Sequence, residues 1–328
     1  MLKERPFPFP SDKALRVILD TDAACEADDQ YCIAHGLMTP RFDIKAVIAE
    51  QCGPYVPNGA EQSYKEIKKI VELMGLTGEV NVLRGTEDPL TDKSVPHHSE
   101  GSRFIIEEAM RDDPRPLFVC CQGAITNLAS ALIEKPEIAE KMTLIWIGGA
   151  PYPEGGWENN LSNDVVAAQV VFESNIELWQ VPMNVYTTMR ISFFELLNGV
   201  YPYGEIGKYL VENTVQVNSR MNDMVQEIMK NFEGLATSAL LGTNNMSAGA
   251  AATMMFGELW SLGDSPVIGL MMNNGMGRYH VIDAPCTVNP DSTYNFSKPG
   301  SRKIRVYDDI DSHFILNDMM AKFKYYFG

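Results

Sequence analysis

The stretch LDTDAACEADD, residues 19–29, places four aspartates and one glutamate within eleven residues. It follows the apolar run LRVIL (15–19), which has the composition of a buried β-strand. Carboxylates that share one site raise one another's pKa unless a cation lies among them. The stretch therefore predicts either a cation site or a solvated acidic loop whose aspartates cap the next helix. Its position at the end of a buried strand favours the cation site.

Short apolar runs alternate with helical patterns along most of the chain. In the segment 61–75, Ile67, Ile70 and Val71 fall on one helical face, and Gly75 stands where such a helix would end. Continuously apolar strands that alternate with helices predict an α/β fold with an open, mostly parallel sheet covered by helices on both faces. The predicted strands are 15–19, 44–49, 80–84, 116–121, 142–149, 176–183, 279–284 and 303–309.

We expect a single domain over residues 1–328, with an α/β core at 14–190. The segment 191–262 is rich in Met and Ala and lacks strand patterns, so it predicts a helical portion over the carboxyl ends of the strands. Residues 263–328 predict the last strands and a closing amphipathic helix. Ligands of open α/β sheets bind beyond the carboxyl ends of the strands. The segments expected there are 20–29, 50–59, 122–127, 148–164 and 184–188.

The net charge of −16 argues against partners that are themselves anionic, such as nucleic acid or an acidic membrane surface. The N-terminal residues lack the apolar core of a secretory signal, and no apolar run approaches the ~20 residues of a membrane span. The six cysteines show no zinc-ligand spacing and are interpreted as buried thiols in a reducing compartment. We therefore expect a cytoplasmic protein.

The residue types in the acidic stretch indicate which cation it would hold. Asp20, Asp22, Asp28 and Asp29 offer only oxygen ligands, which suit Ca²⁺, or Mg²⁺, better than zinc. Two neighbouring aspartates can serve different partners, one the metal and the other a hydroxyl group of a substrate.

Trp157 and His97 are further candidates for contact with a ligand. The indole face of Trp157 is a suitable platform for a planar group, and packing is its alternative role. His97 precedes a second histidine, and a surface loop is the alternative position for that pair.

Five segments, in order, resemble the motifs of the inosine–uridine nucleoside hydrolases. The first is similar to the family's D-x-D-P-G-x-D-D motif and the helix that follows it, and the last resembles the late H-D-P-x-A motif. The resemblance covers most of residues 14–311. Its segments are VILDTDAACEADDQYCIAHGL (17–37), HHSEG (97–101), CQGAITNLASALIEKPEIAEKMTLIWIGG (121–149), ENNLSNDVVAAQVVFESNIELWQVPM (158–183) and SLGDSPVIGL (261–270).

The resemblance implies hydrolysis of the N-glycosidic bond of a ribonucleoside, giving ribose and free base, with Ca²⁺ at the bottom of the cleft. By match, Asp22 lies next to the metal and takes the proton of the attacking water, and Asp29 is the principal ligand. Gln122 contributes its backbone carbonyl, and Asp264 closes the metal site from the far end of the chain. Asp20 supports this ligand set. The family also suggests a small-molecule nucleoside or ribosyl substrate and a homodimer or homotetramer.

The same match assigns residues to the sugar. Asp28 would accept a hydrogen bond from a ribose hydroxyl, and Glu158 and Asn160 would hold the other hydroxyls. Members of the family carry a ribose-binding asparagine after the second strand. This chain offers three candidates there, which are Glu50, Gln51 and Asn58.

Two departures from the family pattern bear on function. Five residues, AACEA (23–27), separate Asp22 from Asp28 where the motif has three, so the loop must bulge, and we expect Glu26 to face solvent. Gly263 replaces the histidine that can protonate the leaving base in many members. Three functions stay open: hydrolysis of ribonucleosides, hydrolysis of another ribosyl or sugar derivative, and binding without turnover.

Overall fold

A central sheet of eight strands organises the part of the chain that the computed structural model describes, residues 2–231, 258–298 and 302–328. In chain order, the strands of this sheet and of two small two-stranded sheets are β1 (Leu15–Thr21), β2 (Phe42–Ala49), β3 (Val82–Arg84), β4 (Leu117–Gln122), β5 (Thr143–Ile147), β6 (Glu177–Val181), β7 (Arg190–Ser192), β8 (Leu259–Ser261), β9 (Gly277–Asp283), β10 (Thr287–Val288), β11 (Tyr294–Asn295) and β12 (Lys303–Ile310).

The central sheet has the strand order β3-β2-β1-β4-β5-β6-β12-β9. All neighbouring strands are parallel except β12 and β9, which are antiparallel. The prediction of a mostly parallel sheet is therefore confirmed. The chain order reverses between β1 and β4, and Thr21 at the end of β1 lies opposite Ala49 and Gln122. A crevice at such a reversal is the usual ligand position in an open α/β sheet.

Helices cover both faces of the sheet. Alternate residues of β1 point to opposite faces: Val17 and Leu19 belong to one buried cluster, and Ile18 belongs to the other. The described helices are α1 (Asp29–Leu37), α2 (Gly59–Leu73), α3 (Glu100–Ala109), α4 (Thr126–Glu134), α5 (Asn159–Asn163), α6 (Val165–Glu173), α7 (Met183–Tyr186), α8 (Phe193–Gly199), α9 (Gly204–Asn231), α10 (Pro266–Met272) and α11 (Ser312–Phe327).

The helix α2 shows how the sequence pattern produces the packing. Ile67, Ile70 and Val71 are buried against the sheet, as the pattern predicts. Gly75 follows the helix with a φ of +70°, a left-handed conformation that glycine adopts without the steric cost of a side chain. Helices α1, α2, α9, α10 and α11 pack into one buried cluster, and α3, α4 and α6 pack into the other.

The segment 191–262 contains two helices, α8 and α9, but also short strands that the sequence did not predict. β7 pairs with β8 in antiparallel fashion, with Ile191 opposite Trp260. Strands of three residues are too short to give an alternating pattern, which explains why sequence reasoning missed them. The rest of the predicted helical portion, residues 232–257, lies outside the described residues. Among the helices that are described, none has the length and apolar character needed to cross a membrane.

His35 on α1 joins the first helix to the last. It is fully buried, and its Nε2 atom lies 2.7 Å from Asp318 Oδ2 and 3.3 Å from Lys322 Nζ on α11. Burial, with a further effect of the Lys322 charge, lowers the pKa of His35 to about 4. The imidazole is therefore neutral in the folded protein at neutral pH.

This burial predicts a specific loss of stability in acid. An unfolded histidine takes up a proton near pH 6.5, whereas folded His35 resists protonation until about pH 4. The free energy of unfolding should therefore fall between pH 6.5 and pH 4, by up to about 3 kcal/mol from this residue. Urea unfolding at several pH values should show a shallower decline for His35→Gln. The exposed His313→Gln is the matched control, and equal slopes for the two variants would contradict the assignment.

Candidate active site

A small cavity lies beyond the carboxyl ends of β1, β4 and β5, which is where open α/β sheets bind their ligands. Five of its lining residues are acidic, and they come from both ends of the chain. The lining consists of Asp22, Cys25, Glu26, Asp28, Asp29, Gln122, Ile147, Asn159, Asn160, Tyr186, Gly263 and Asp264.

Three aspartates reach the cavity from the junction of β1 and α1. Asp22 directly follows β1, Asp28 stands at the N-terminal boundary of α1, and Asp29 is the first residue of that helix. The hydroxyl of Thr21 donates a hydrogen bond to Asp29. The partial positive charge at a helix N-terminus also favours carboxylates there.

Asp264 reaches the same place from the other end of the chain, just before α10. Carboxylate oxygens of Asp28, Asp29 and Asp264 all lie within 4.8 Å of one another. Two oxygen ligands of one Ca²⁺, each at about 2.3–2.6 Å, can be at most about 5 Å apart. The three carboxylates therefore have a spacing that a single divalent cation could bridge.

The acidic residues are strongly perturbed electrostatically. Burial raises the pKa of Asp22, Asp28 and Asp264 well above the ordinary value, and the neighbouring negative charges raise it further. Burial raises the pKa of Asp29 to about 6, although the hydrogen bond from Thr21 opposes this. Without a compensating positive charge, keeping all of these carboxylates ionised is costly.

Several buried polar atoms at the cavity have few or no hydrogen-bond partners among the described residues. Asp22 Oδ2 is buried and accepts no hydrogen bond from the residues that the structure describes. Within the same ranges, the side-chain amide of Gln122 has no hydrogen-bond partner apart from the nearby thiol of Cys32. Buried polar atoms are normally satisfied, so these atoms are available to a ligand.

Glu158 lies just outside the cavity lining and hydrogen-bonds to two of the lining residues. Its Oε1 accepts hydrogen bonds from the Tyr186 hydroxyl at 2.8 Å and from the backbone nitrogen of Asn160 at 3.1 Å. Its Oε2 accepts from the backbone nitrogens of Gly149 at 2.6 Å and Leu161 at 3.0 Å. With both oxygens engaged, Glu158 positions Tyr186 and Asn160, which face the cavity.

Gly263 leaves room for Tyr186 to approach the aspartates. A Cβ atom added at Gly263 would lie 3.0 Å from Tyr186 Cδ2 and 3.3 Å from Asp28 Oδ2. The first of these contacts is closer than normal van der Waals packing allows without adjustment of the ring. The aromatic ring of Tyr186 thus packs against the position where the resemblance leads one to expect a histidine.

The match between this chain and the model of the family described as "Inosine-uridine preferring nucleoside hydrolase" runs over residues 17–280. The chain belongs to the inosine-uridine preferring nucleoside hydrolase family. The matched range contains every lining residue of the cavity, from Asp22 to Asp264.

Named relatives of the family match a part of the chain. This chain is 26% identical over 199 residues to the pyrimidine-specific ribonucleoside hydrolase RihA of Salmonella arizonae. The match covers 52% of this chain and 61% of that protein. The protein of the same name from Escherichia coli O9:H4 is 25% identical over 197 residues, with the same coverage. The chain thus matches less than two thirds of the length of these relatives.

Solved structures share the fold over nearly the whole chain. A plant nucleoside hydrolase, the PpNRh1 enzyme, superposes with a TM-score of 0.71 and 16% identity, covering 94% of this chain and 98% of that one. A purine-preferring ribonucleoside hydrolase from Gardnerella vaginalis gives a TM-score of 0.70 and 17% identity, with the same coverage. Both similarities confirm the α/β fold expected for a nucleoside hydrolase.

The structure brings six of the expected site residues to this cavity and places the others elsewhere. Asp22, Asp28, Asp29, Gln122, Asn160 and Asp264 line it. Asp20 lies outside the lining: it is buried, accepts a hydrogen bond from Asn127 Nδ2 at 3.0 Å, and has a pKa raised by burial to about 7. Glu158 also lies behind the wall and contacts the cavity through Tyr186 and Asn160.

The candidates for the family's ribose-binding asparagine are not at the cavity. Gln51 is buried and donates to Thr126 Oγ1 at 3.2 Å and to the Asn163 carbonyl at 3.4 Å, so its amide is engaged elsewhere. Asn58 is exposed, with a φ of +52° at the start of α2. Glu50 is also absent from the lining.

Two other candidates lie on the outside of this fold. The side chain of Trp157 is 54% exposed and does not line the cavity. His97 pairs its Nδ1 with the Asp88 carbonyl at 3.0 Å, in the loop before α3. The sequence placed Trp157 in a segment that follows a strand, and that position alone does not set the direction of a side chain. For His97, the surface loop was the alternative position that the sequence left open.

Sequence reasoning also missed residues that the structure places in the cavity. Glu26 was expected to face solvent, but it lines the cavity, where burial raises its pKa to about 7. Cys25 and Asn159 line it as well. The loop 23–27 has five residues where the family motif has three, and it folds towards the cavity. This extra length was the signal in the sequence that could have pointed to Glu26 and Cys25.

The crowded carboxylates predict that removing one of them stabilises the protein when no divalent cation is present. In a chelating buffer, Asp28→Asn should raise the free energy of unfolding by about 1 kcal/mol or more, because one buried charge and its repulsions disappear. Calorimetry should then show a rise in Tm of roughly 2 °C or more. The exposed Asp112→Asn, which carries the same change in charge, should leave Tm nearly unchanged. A lower Tm for Asp28→Asn would argue against repulsion at this site.

Proposed function

We propose that this protein hydrolyses the N-glycosidic bond of ribonucleosides, giving ribose and a free base, with Ca²⁺ at the carboxylate cluster and Mg²⁺ less favoured. The observation that carries the proposal is the convergence of Asp28, Asp29 and Asp264 within 4.8 Å, in a chain of the nucleoside hydrolase family. The pyrimidine-specific activity named for the bacterial relatives supports a ribonucleoside as the substrate class.

The residues present fit a calcium ion. Asp29 and Asp264 supply carboxylate oxygens, and Asp22 Oδ2 is a buried oxygen without a hydrogen-bond partner among the described residues. Hard cations such as Ca²⁺ take six to eight oxygen ligands, including backbone carbonyls and water. We assign Asp22, Asp29, Asp264 and the carbonyl of Gln122 to the ion.

The reaction needs a proton acceptor for the attacking water. A bound calcium ion supplies Lewis acidity that lowers the pKa of a water molecule. Asp22 is the proton acceptor in this proposal, since its Oδ2 has no hydrogen-bond partner among the described residues and its side chain faces the cavity. A carboxylate has two oxygens, so one can face the ion and the other the water. A correctly placed general base is typically worth 10²–10⁴-fold in rate.

The other acidic residues suit the charge that develops on the sugar. Breaking the bond between the anomeric carbon and the base leaves positive charge on the ribose ring. Asp28 and Glu26 line the cavity and would stabilise that charge electrostatically. Asn160 and Tyr186, both held by Glu158, are placed to bind sugar hydroxyls.

The second candidate is hydrolysis of a different ribosyl or sugar derivative. Gly263 and the packing of Tyr186 against it favour this alternative, because the histidine that can protonate a leaving base is replaced.

A panel of purine and pyrimidine ribonucleosides and other ribosides, followed by a reducing-sugar assay, separates the candidates. Release of ribose from nucleosides supports the proposal. Release only from other glycosides selects the second candidate, and no release despite ribose binding indicates a binding protein.

The ligand assignment predicts the effect of Ca²⁺ on stability. Ca²⁺ at 100 times its Kd should stabilise the wild type by about 2.7 kcal/mol. Asp29→Asn should lose this stabilisation, because it removes the principal ligand. Thermal unfolding with and without Ca²⁺ measures both effects, and Asp112→Asn is the control of equal charge. An undiminished Ca²⁺ effect in Asp29→Asn would refute the assignment.

The proton-acceptor role predicts a different pattern for Asp22. Asp22→Asn keeps an oxygen at this position but has no basic carboxylate, so kcat should fall about 10²–10⁴-fold. Its Ca²⁺ stabilisation should be largely retained, which distinguishes it from Asp29→Asn. Steady-state kinetics and Ca²⁺-dependent melting of the same preparation test this. A kcat within a few fold of the wild type would exclude Asp22 as the base.

Three further expectations stay predictions: a cytoplasmic location, assembly as a homodimer or homotetramer, and the division of the domain at residues 190 and 262. The free thiols of all six cysteines agree with a reducing compartment.

A further inference from the structure

A second cluster of metal-ligating atoms adjoins the carboxylates. A carboxylate oxygen of Asp22 and the sulfur atoms of Cys25 and Cys52 all lie within 4.8 Å of one another. The two cysteines are 27 residues apart in sequence and meet because the loop 23–27 folds against the segment that follows β2. We infer that Asp22, Cys25 and Cys52 form a site for a thiophilic divalent cation, Zn²⁺, that shares only Asp22 with the proposed calcium site and inhibits the protein by capturing this residue.

The ligand types favour zinc over calcium at this position. Thiolate sulfur is a soft ligand that binds Zn²⁺ well and is not a calcium ligand. Two cysteines and one carboxylate leave a fourth tetrahedral position open for water. Bonds of about 2.3 Å to sulfur and about 2.0–2.2 Å to oxygen at tetrahedral angles place the ligand atoms roughly 3.5–3.8 Å apart. The observed separations are compatible with this geometry after a small movement of the side chains.

The surroundings hold two of the ligands in place. Cys52 is fully buried, and its sulfur lies 3.6 Å from the Asp22 carbonyl and 3.7 Å from Ser63 Oγ. The backbone nitrogen of Cys25 donates to the same Asp22 carbonyl at 2.8 Å. The backbone of Asp22 therefore ties both cysteine-bearing segments together.

An independent observation indicates that this cluster accepts a ligand. Asp22 is only 3% exposed, and its Oδ2 atom has no hydrogen-bond partner in the ranges that the structure describes. Cys25 is half-buried and lines the cavity, so an ion can reach the three side chains from the cavity side. As the ion binds, the protons of the two thiols pass to the buffer.

Binding here has a consequence for the proposed reaction. Asp22 is the assigned proton acceptor, and a carboxylate that coordinates Zn²⁺ is no longer available as a base. Zn²⁺ should therefore inhibit hydrolysis even when Ca²⁺ is in excess. The inhibition rests on the proposed function, whereas the metal site itself does not.

Cobalt(II) is the probe that tests the site directly, because its bonds to thiolates absorb in the near ultraviolet and its bonds to oxygen ligands do not. The reduced protein is titrated with Co²⁺ in excess Ca²⁺, and then with Zn²⁺. We expect one equivalent of thiolate-bound Co²⁺ in the wild type, displaced by one equivalent of Zn²⁺.

Variants identify the ligands. Cys25→Ser and Cys52→Ser should each weaken Co²⁺ binding by more than about 100-fold, since even residues that only orient a ligand are worth about 10–100-fold. Cys286→Ser, which changes a half-buried cysteine outside the cavity, should keep the full signal. Cys52 is buried, so Cys25→Ser decides the outcome if the Cys52 variant does not fold.

The proposal is overturned if saturating Co²⁺ gives no thiolate absorption in the wild type, or if Cys25→Ser keeps it. Inhibition is tested separately: half-inhibition by Zn²⁺ should need at least about 100-fold more metal in Cys25→Ser than in Cys286→Ser. Thiolate absorption in a protein that hydrolyses no nucleoside would uphold the metal site and reject the proposed function.

Discussion

Repulsion among buried carboxylates is the constraint around which this structure is organised. Asp22, Asp28, Asp29 and Asp264 share one cavity, where burial raises the pKa of all four and repulsion by neighbouring carboxylates raises it further for Asp22, Asp28 and Asp264. A fold gains nothing in stability from such an arrangement unless a positive charge compensates it. The free-energy cost of this site must therefore be offset by burial elsewhere in the molecule. The apolar clusters between the sheet and the helices on its two faces provide that burial.

The sheet topology explains why the acidic residues meet. Parallel pairing brings the ends of β1 and β4 to the same edge, with Thr21 opposite Gln122. The reversal of strand order between them opens a crevice, and α1 begins there with Asp29. Asp264 is added by the turn between β8 and α10. Each element contributes one or two side chains, and the site exists only when all of them are in place.

The fold was largely predictable because its signals are long and regular. The eight strands of the central sheet coincide with the eight apolar runs, and α2 ends just before Gly75, as its pattern predicts. The pairs β7–β8 and β10–β11 were not predictable, since two or three residues carry no periodic pattern. The site was predictable where a strand end fixes the position of a residue, as for Asp22 and Gln122.

Side-chain direction in loops was the part that the sequence did not reveal. Gln51 and Trp157 both follow strands, as residues of the site were expected to do. However, Gln51 is held by hydrogen bonds within the core, and Trp157 faces solvent. Glu26 shows the opposite case, since it is a loop acid that turns into the cavity. These outcomes depend on packing partners that are distant in the sequence, such as Thr126 for Gln51.

The position of Asp264 has a consequence for how the protein matures. More than 230 residues separate this aspartate from Asp29, so a growing chain on the ribosome holds an incomplete cluster until most of the protein has been made. A chain that ends before β8 contains Asp28 and Asp29 but lacks the third carboxylate of the cluster. The three-carboxylate cluster of Asp28, Asp29 and Asp264 is therefore completed only late in biosynthesis.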